Sequence, residues 1–356
     1  LNARREHRTE SRHDMLRIGV VGYGTGGQHF HAPFIEAAEG CALAGVVARA
    51  PGTVAKVRAD LPDQPVYASL GEMIARGTVD AVTITTPPET RHDLVMEAIE
   101  AGLHVIADKP FAPNAGGARK LDAAAKAKGV VLGVYQNRRY DSDMQTLAKL
   151  IADGRQGKVW RVHSRMDFDD PATLEHGPTG GLLRDLGSHL VDQMVWLLGP
   201  VASVDAQLDH FDLPEGRTEA SFTITLRHEN GTHSHISASK LNRFDQRELR
   251  AYGDAGSYVS HGTDVQAQAI FAGKRPVQDL DAWGYEPESH WGTLRTCDGA
   301  NRIPSEQGRY HDYYAAFARA VQDGTPPPVT AASGVRTLQI LDAARQSADE
   351  NRSLTL

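Results

Sequence analysis

From Leu16 to Tyr135 strand-sized apolar runs alternate with helix-sized stretches, and that alternation leaves few folds open. The first run, Leu16 to Val21, enters the turn Gly22-Tyr23-Gly24-Thr25-Gly26-Gly27, and an apolar helix through Phe34, Ile35 and Ala38 follows. Further strands are expected at Cys41 to Val47, Val79 to Thr85, Leu103 to Ala107 and Val130 to Tyr135, with a helix from Asn114 to Lys128. Ser69 with Glu72, and Thr90-Arg91-His92-Asp93 after the break Thr86-Pro87-Pro88, carry capping-box spacing at helix starts. Such a series predicts an α/β domain with a doubly wound parallel sheet, whose ligand lies at the carboxyl ends of the strands.

The glycine turn says what that ligand is. Gly22 permits the tight turn, Gly24 lets a pyrophosphate approach the backbone, and Gly27 lets helix and strand pack closely. The helix N-terminus then holds the phosphates. A carboxylate at the end of the second strand would select NAD, but Val47-Ala48-Arg49-Ala50 offers none between Cys41 and Ala59. Arg49 can pair with the 2'-phosphate of NADP, stack on adenine or be a solvated loop residue, and Lys56 adds positive charge; NADP is the expected cofactor and NAD the alternative. Candidate cofactor contacts are Gly22, Tyr23, Gly24, Gly26, Gly27, Arg49, Thr86, Pro87, His92 and Lys109.

A second informative stretch is Gly180 to Asp192, which plants ionisable groups in a helical run. Leu182, Leu183, Leu186, Leu190, Met194, Leu197 and Leu198 recur at helical spacing and mark the buried side. Asp185 and His189 lie four apart, so a helix puts them one turn apart on one face, where a carboxylate can orient an imidazole base. The same spacing also suits a surface pair that merely supports the helix.

At 356 residues, two domains are expected. A net charge of -7, without a basic run interleaved with aromatics, argues against a nucleic-acid partner. Two cysteines, Cys41 and Cys297, give no disulfide framework, and no apolar stretch has the length of a membrane span, so a cytoplasmic protein without a membrane partner is expected. Residues 1–14 are charged and almost devoid of apolar side chains, and disorder is expected there.

Asp108-Lys109-Pro110 follows the strand Leu103 to Ala107 at the sheet's carboxyl edge. Together with the glycine turn and the Asp185/His189 helix, it makes the chain resemble the glucose-fructose oxidoreductase, inositol dehydrogenase and rhizopine-catabolism (Gfo/Idh/MocA) family. The family's Glu-Lys-Pro appears here as Asp-Lys-Pro, with the lysine kept. Phe30-His31-Ala32-Pro33-Phe34 and Tyr135 to Tyr140 are similar to a subgroup with NADP-dependent scyllo-inositol dehydrogenases. The resemblance implies a dinucleotide domain over 15–137 and an α+β substrate and oligomerisation domain over 138–356, the latter on an open, mostly antiparallel sheet. It implies a homodimer or homotetramer joined through that sheet's free face, and a small polyhydroxylated substrate such as an inositol or aldose.

The second half agrees with such a sheet, since Phe222, Ile224 and Leu226 alternate with Thr223 and Thr225. Strand runs are also expected at Val159 to Phe168, Val201 to Leu208, Thr232 to Leu241, Glu248 to Tyr252 and Ser257 to Ser260, and helices at Tyr310 to Val321 and Gly334 to Gln346. His233 and His235 share a strand face, but with no third ligand at a persuasive spacing no metal site is expected. The long segment 274–309, with Trp283, Tyr285, His290 and Trp291, reads as cover over the substrate site or an arm to a neighbouring subunit.

Oxidising a carbinol requires a base at its hydroxyl and positive charge for the developing alkoxide. The candidate catalytic residues are His189 as base, Lys109 as the charge, and Asp185 as the group that holds His189 or binds a neighbouring hydroxyl; Lys109 and His189 could exchange roles. Asn137, Arg138, Asp169 and Trp291 are the candidate substrate contacts. A non-catalytic NADP-binding sensor would not need Lys109, Asp185 and His189 together. A hydrolase or lyase that cycles a tightly held cofactor would need the same residues as a dehydrogenase.

Overall fold

The computed structural model describes residues 15–175, 180–262 and 264–356, so the N-terminal tail lies outside the described residues. Six strands, β1 (Leu16–Val21), β2 (Cys41–Val47), β3 (Val66–Tyr67), β4 (Ala81–Ile84), β5 (His104–Asp108) and β6 (Leu132–Tyr135), form one sheet in the order β3-β2-β1-β4-β5-β6. Every neighbouring pair is parallel. Their side chains face helices on both sides, which is why β4 is buried at all four positions and reads as a continuous apolar run rather than an alternating one. The strand order reverses between β1 and β4, and a crevice opens at the carboxyl ends there.

The connecting helices are α1 (Ala32–Ala37), α2 (Pro51–Asp60), α3 (Leu70–Arg76), α4 (Pro88–Glu100) and α5 (Ala115–Lys128). Ser69 caps α3 as its spacing predicts, accepting from the Glu72 amide at 3.1 Å, but Glu72 reaches back to the amide of Ala68 instead of Ser69. The expected box at Thr90 to Asp93 is not formed. Pro88 already starts α4, because proline lacks the amide a first-turn residue does not need, and this leaves Arg91 inside the helix.

After β6 a 3₁₀ turn, Asn137–Tyr140, leads into α6 (Ser142–Ala152) and the second sheet. Its strands are β7 (Val159–Asp169), β8 (Val201–Leu213), β9 (Gly216–His228), β10 (His233–Ser239), β11 (Leu241–Gly253), β12 (Ser257–Ser260), β13 (Gly292–Thr296), β14 (Gly299–Ile303) and β15 (Leu354–Thr355). They run in the order β14-β13-β12-β11-β7-β10-β9-β8-β15. All pairs are antiparallel except β7 with β10. Helices α7 (Leu182–Leu198) and α10 (Ala331–Glu350) cover one face; α8 (Val265–Phe271) and α9 (Tyr310–Asp323) pack toward the first sheet's side of the molecule. Along β7, Val162, Ser164 and Met166 are buried while Arg161 and Arg165 are exposed on the opposite, open face.

The segment 274–309 turns out differently from its reading as cover. Its second half is the β13/β14 hairpin, which lengthens the sheet, and its first half carries Trp283 into the core. Trp283 meets Phe34 of α1 edge to face at 5.9 Å and donates its indole N–H to Gln266 at 3.1 Å. Aromatic content here reflects packing between the two units of the molecule. On the open face, His235 stacks near His163 of β7, with ring centroids 4.7 Å apart. Among the described residues no group of three or more His, Cys, Asp or Glu side chains is placed to hold a metal, and no helix is long and apolar enough to cross a membrane.

Candidate active site

β5 ends at Asp108 and delivers Lys109 to the crevice, and the loop there is held from below by Arg91. The Arg91 guanidinium, buried by α4, donates to the carbonyls of Thr86 (2.6 Å), Lys109 (2.9 Å) and Pro110 (2.8 Å). One planar side chain thereby fixes two crevice loops to each other. Asp108 accepts from the Lys109 amide at 2.8 Å and lies 3.5 Å from His31. Burial alone would push its carboxyl up, but the His31 hydrogen bond and the charges of His31, Arg91 and Lys109 hold it down at about 2. The His31 ring is held in turn by Tyr314 at 2.5 Å and Thr83 at 3.1 Å.

The Lys109 ammonium crosses to α7. It donates to Asp185 Oδ1 at 2.8 Å and to the Asp185 carbonyl at 3.0 Å. A second lysine, Lys240 at the end of β10, donates to the other carboxylate oxygen at 2.9 Å and to the Thr173 carbonyl at 2.9 Å. Burial would raise the Asp185 carboxyl, yet the charges and hydrogen bonds of Lys109 and Lys240 hold it well below the usual carboxylate range. Asp185 also lies in the first turn of α7, where the helix dipole favours a negative charge.

His189 stands one turn further along α7, only 6% exposed. Burial, and then the charges of Lys109 and Arg138, push its imidazole well below the ordinary value, with Asp185 opposing more weakly. The ring is therefore neutral near pH 7. The expected Asp185–His189 hydrogen bond is absent: the carboxylate oxygens of Asp185 accept from Lys109 and Lys240, and His189 Nδ1 has no partner among the described residues.

Arg138 does not offer its guanidinium to a ligand as expected. It is sequestered with Asp141 (3.3 Å) and Asp264 (3.0 Å), in a cluster that adds Asp143, Arg247 and Tyr310. Tyr310 places its single hydroxyl within bonding distance of both Asp141 and Asp264. Burial and then the Asp264 charge push the Asp141 carboxyl up to about 7. Asn137, 7% exposed, sits in the 3₁₀ turn beside this cluster.

Asp169 lies on the open face, where alternation along β7 sends it opposite to Met166, and it pairs with exposed Arg243 at 3.1 Å. Lys240 works from the covered face, so Asp169 does not join it. Trp291 precedes β13, four strands from β10 and so on the order of 20 Å across the sheet. These two substrate expectations, like Arg138, are not supported by the geometry.

The glycine turn fits a dinucleotide. Gly22 has φ 98°, a conformation side chains disfavour; a Cβ on Gly27 would stand 2.1 Å from the Gly22 carbonyl, whereas one on Gly24 would meet nothing within 4 Å. The open side at Gly24 is where a pyrophosphate has room. Thr86 Oγ1 is buried beside this crevice with no hydrogen-bond partner among the described residues. Pro87 and His92 flank it at the start of α4, while Arg49 is exposed after β2, and Lys56 is exposed on α2. Tyr23 points inward and donates to Asp60 at 3.2 Å, so it contributes backbone rather than its ring.

Sequence reasoning missed Lys240 and Arg91. Lys240 follows a strand as a lone charge, which reads as a solvated strand end, and its partner lies 55 residues upstream. Arg91 sat inside a presumed cap.

Comparisons with known proteins agree with this geometry. Residues 16–136 match the model described as oxidoreductase family, NAD-binding Rossmann fold, and residues 144–259 match the GFO/IDH/MocA C-terminal domain. The NADP+-dependent scyllo-inositol 2-dehydrogenase of Bacillus subtilis is 30% identical over 96% of this chain and 96% of its own length. The myo-inositol 2-dehydrogenase of Thermotoga maritima is 24% identical over 96% of this chain and 98% of its own. A solved oxidoreductase structure from Bacillus subtilis superposes with a TM-score of 0.89 at 30% identity, covering 98% of this chain and all of that one. A Rossmann unit with a dinucleotide turn, a lysine at its carboxyl edge and a second unit closing over that lysine place the chain in the Gfo/Idh/MocA family of NAD(P)-dependent oxidoreductases.

Proposed function

We propose that the protein oxidises a secondary or anomeric hydroxyl of a cyclic polyol or sugar, or reduces the corresponding carbonyl, with NADP preferred over NAD. The observation that carries this reading is the Lys109–Asp185 ion pair at 2.8 Å beside His189, made between β5 of one unit and α7 of the other. It leaves a cation and a neutral imidazole facing one crevice. The turn Gly22 to Gly27 and the crevice residues Thr86, Pro87 and His92 hold the cofactor, and Arg49, with no acid after β2, meets the 2'-phosphate. When bound, the nicotinamide accepts or gives the hydride.

The chain's own residues do the rest. His189, kept neutral by burial, takes the hydroxyl proton. Lys109, fixed by two acceptors on Asp185, holds the oxygen as it gains negative charge. Closely packed polar groups at the site suit a substrate with many hydroxyls, and inositol dehydrogenases among the relatives point the same way.

Initial rates on inositols, aldopyranoses and aliphatic alcohols with NADP+ and NAD+ test the reading. Preference for aliphatic alcohols would defeat it. Product formation without net accumulation of reduced cofactor would instead identify the redox-cycling hydrolase or lyase. The open face of the second sheet, with Arg161, His163 and His235, is the surface we assign to self-association as a dimer or tetramer, which sedimentation at several concentrations would read directly.

A further inference from the structure

Lys240 has more to do than neutralise Asp185. An alkyl ammonium carries three N–H donors. Lys109 gives two of them to the Asp185 carbonyl and Oδ1, and Lys240 gives two to Asp185 Oδ2 and the Thr173 carbonyl. Each therefore keeps one N–H with no acceptor among the described residues. The side chains are 17% and 10% exposed, so neither spare donor belongs to a freely hydrated surface lysine. Two cations share the Asp185 carboxylate, and the Glu175 carboxyl lies near enough to feel both of them.

The spacing follows from the carboxylate. The two nitrogens are bound to the two oxygens of one Asp185 side chain, so a single carboxylate bridges them. A second pair of oxygens, close to one another, can bridge them from the opposite side as the carboxylate does from this one. Two hydroxyls on adjacent carbons present such a pair; a lone hydroxyl does not.

We propose that Lys240 is a specificity-determining residue that binds the substrate oxygen next to the reacting one, so that the site selects vicinal diols. This rests on the function proposed above, with Lys109 at the reacting oxygen. The competing role is that of a plain counterion for Asp185. A counterion would affect all substrates alike, whereas a ligand to the neighbouring hydroxyl affects only those that have it.

Matched substrates separate the two roles: D-glucose against 2-deoxy-D-glucose, and cyclohexane-1,2-diol against cyclohexanol, each with NADP+. The wild-type protein should favour the vicinal member in kcat/KM by about ten- to a hundredfold, the range for one hydrogen bond to a charged group. In Lys240→Met that ratio should fall toward unity, because the vicinal substrates lose rate and the others lose much less. A ratio unchanged in the variant, with equal loss on both members, would overturn the assignment. Should Lys240→Met fail to bind NADPH by fluorescence, the ratio is read on Lys240→Gln, which keeps a neutral donor: an intermediate ratio supports the assignment and an unchanged one overturns it. A wild-type protein inert on these members and on the inositols would bring down the proposed function and this inference with it, and one that turns over inositols but none of these members would overturn the inference alone. A wild-type protein active on the panel but indifferent to the second hydroxyl would overturn the role of Lys240 alone.

Discussion

Asp185, half-buried, and Asp141, buried, stand in environments that drive them in opposite directions. Asp185 is one carboxylate between two ammonium groups and is held ionised. Asp141 is one of three carboxylates, with Asp143 and Asp264, set against the two guanidiniums of Arg138 and Arg247, and it is pushed up to about 7. The stoichiometry of partners decides the charge, not depth alone. Tyr310 makes the same point without reference to titration. Its one hydroxyl hydrogen faces both Asp141 and Asp264, a crowding of acceptors that a proton on one carboxyl relieves. One cluster thus holds its aspartate ionised, and the other pushes its aspartate toward the protonated form.

Variants can break this contrast. The largest effect is expected for Asp185→Asn, which leaves two lysines without their shared anion and should lower stability by about 3–5 kcal/mol. Thermal unfolding of Asp185→Asn, alone and combined with Lys240→Met, checks it. A double variant no more stable than the single one would show that unpaired charge is not the cause.

Lys109→Met should reduce kcat by about a hundred- to a thousandfold while NADPH binding survives, since the cofactor is held by the glycine turn. Stopped-flow and fluorescence titration read the two quantities separately, and near-normal turnover would remove Lys109 from the chemistry.

Arg49→Ala lies outside both clusters and sets their scale. Affinity for NADP should drop about tenfold and that for NAD hardly at all, because only NADP carries the 2'-phosphate. Equal losses would mean that Arg49 stacks on the adenine or supports the loop.

The smallest effect belongs to Asp141→Asn and appears as a slope. Asp141 has a raised folded value, so its contribution is complete below the unfolded carboxyl value, near pH 4, and is lost as pH rises through about 7. The variant should therefore gain on the wild type as pH rises from 5 to 8. Asp185 has a lowered value, so its contribution holds through that window and is lost only in strong acid. Denaturation at pH 5, 6.5 and 8 would show parallel curves if Asp141 were ionised throughout.

Much of this architecture is legible in the sequence. The alternation up to Tyr135 fixed a parallel sheet because buried strands and crossover helices leave distinct lengths and spacings. The two-residue β3 escaped, being too short to show a pattern. Lys109, Asp185 and His189 were legible because a motif and a helical period mark them. Arg138 and Asp169 were misjudged for the same reason that Lys240 was overlooked: whether a charge faces a ligand depends on partners far away in the chain. Arg138 meets Asp264 across 126 residues and Lys240 meets Asp185 across 55, and no local period records either.

Lys109 belongs to one sheet unit, while Asp185 and Lys240 belong to the other. The Lys109–Asp185–Lys240 cluster is thus split between two units that share one continuous core, and it is complete only when both are in place. On the function proposed here, a second unit that keeps its share of that core and a carboxylate within reach of Lys109 would keep the cation and the cofactor while recognising a different pattern of hydroxyls.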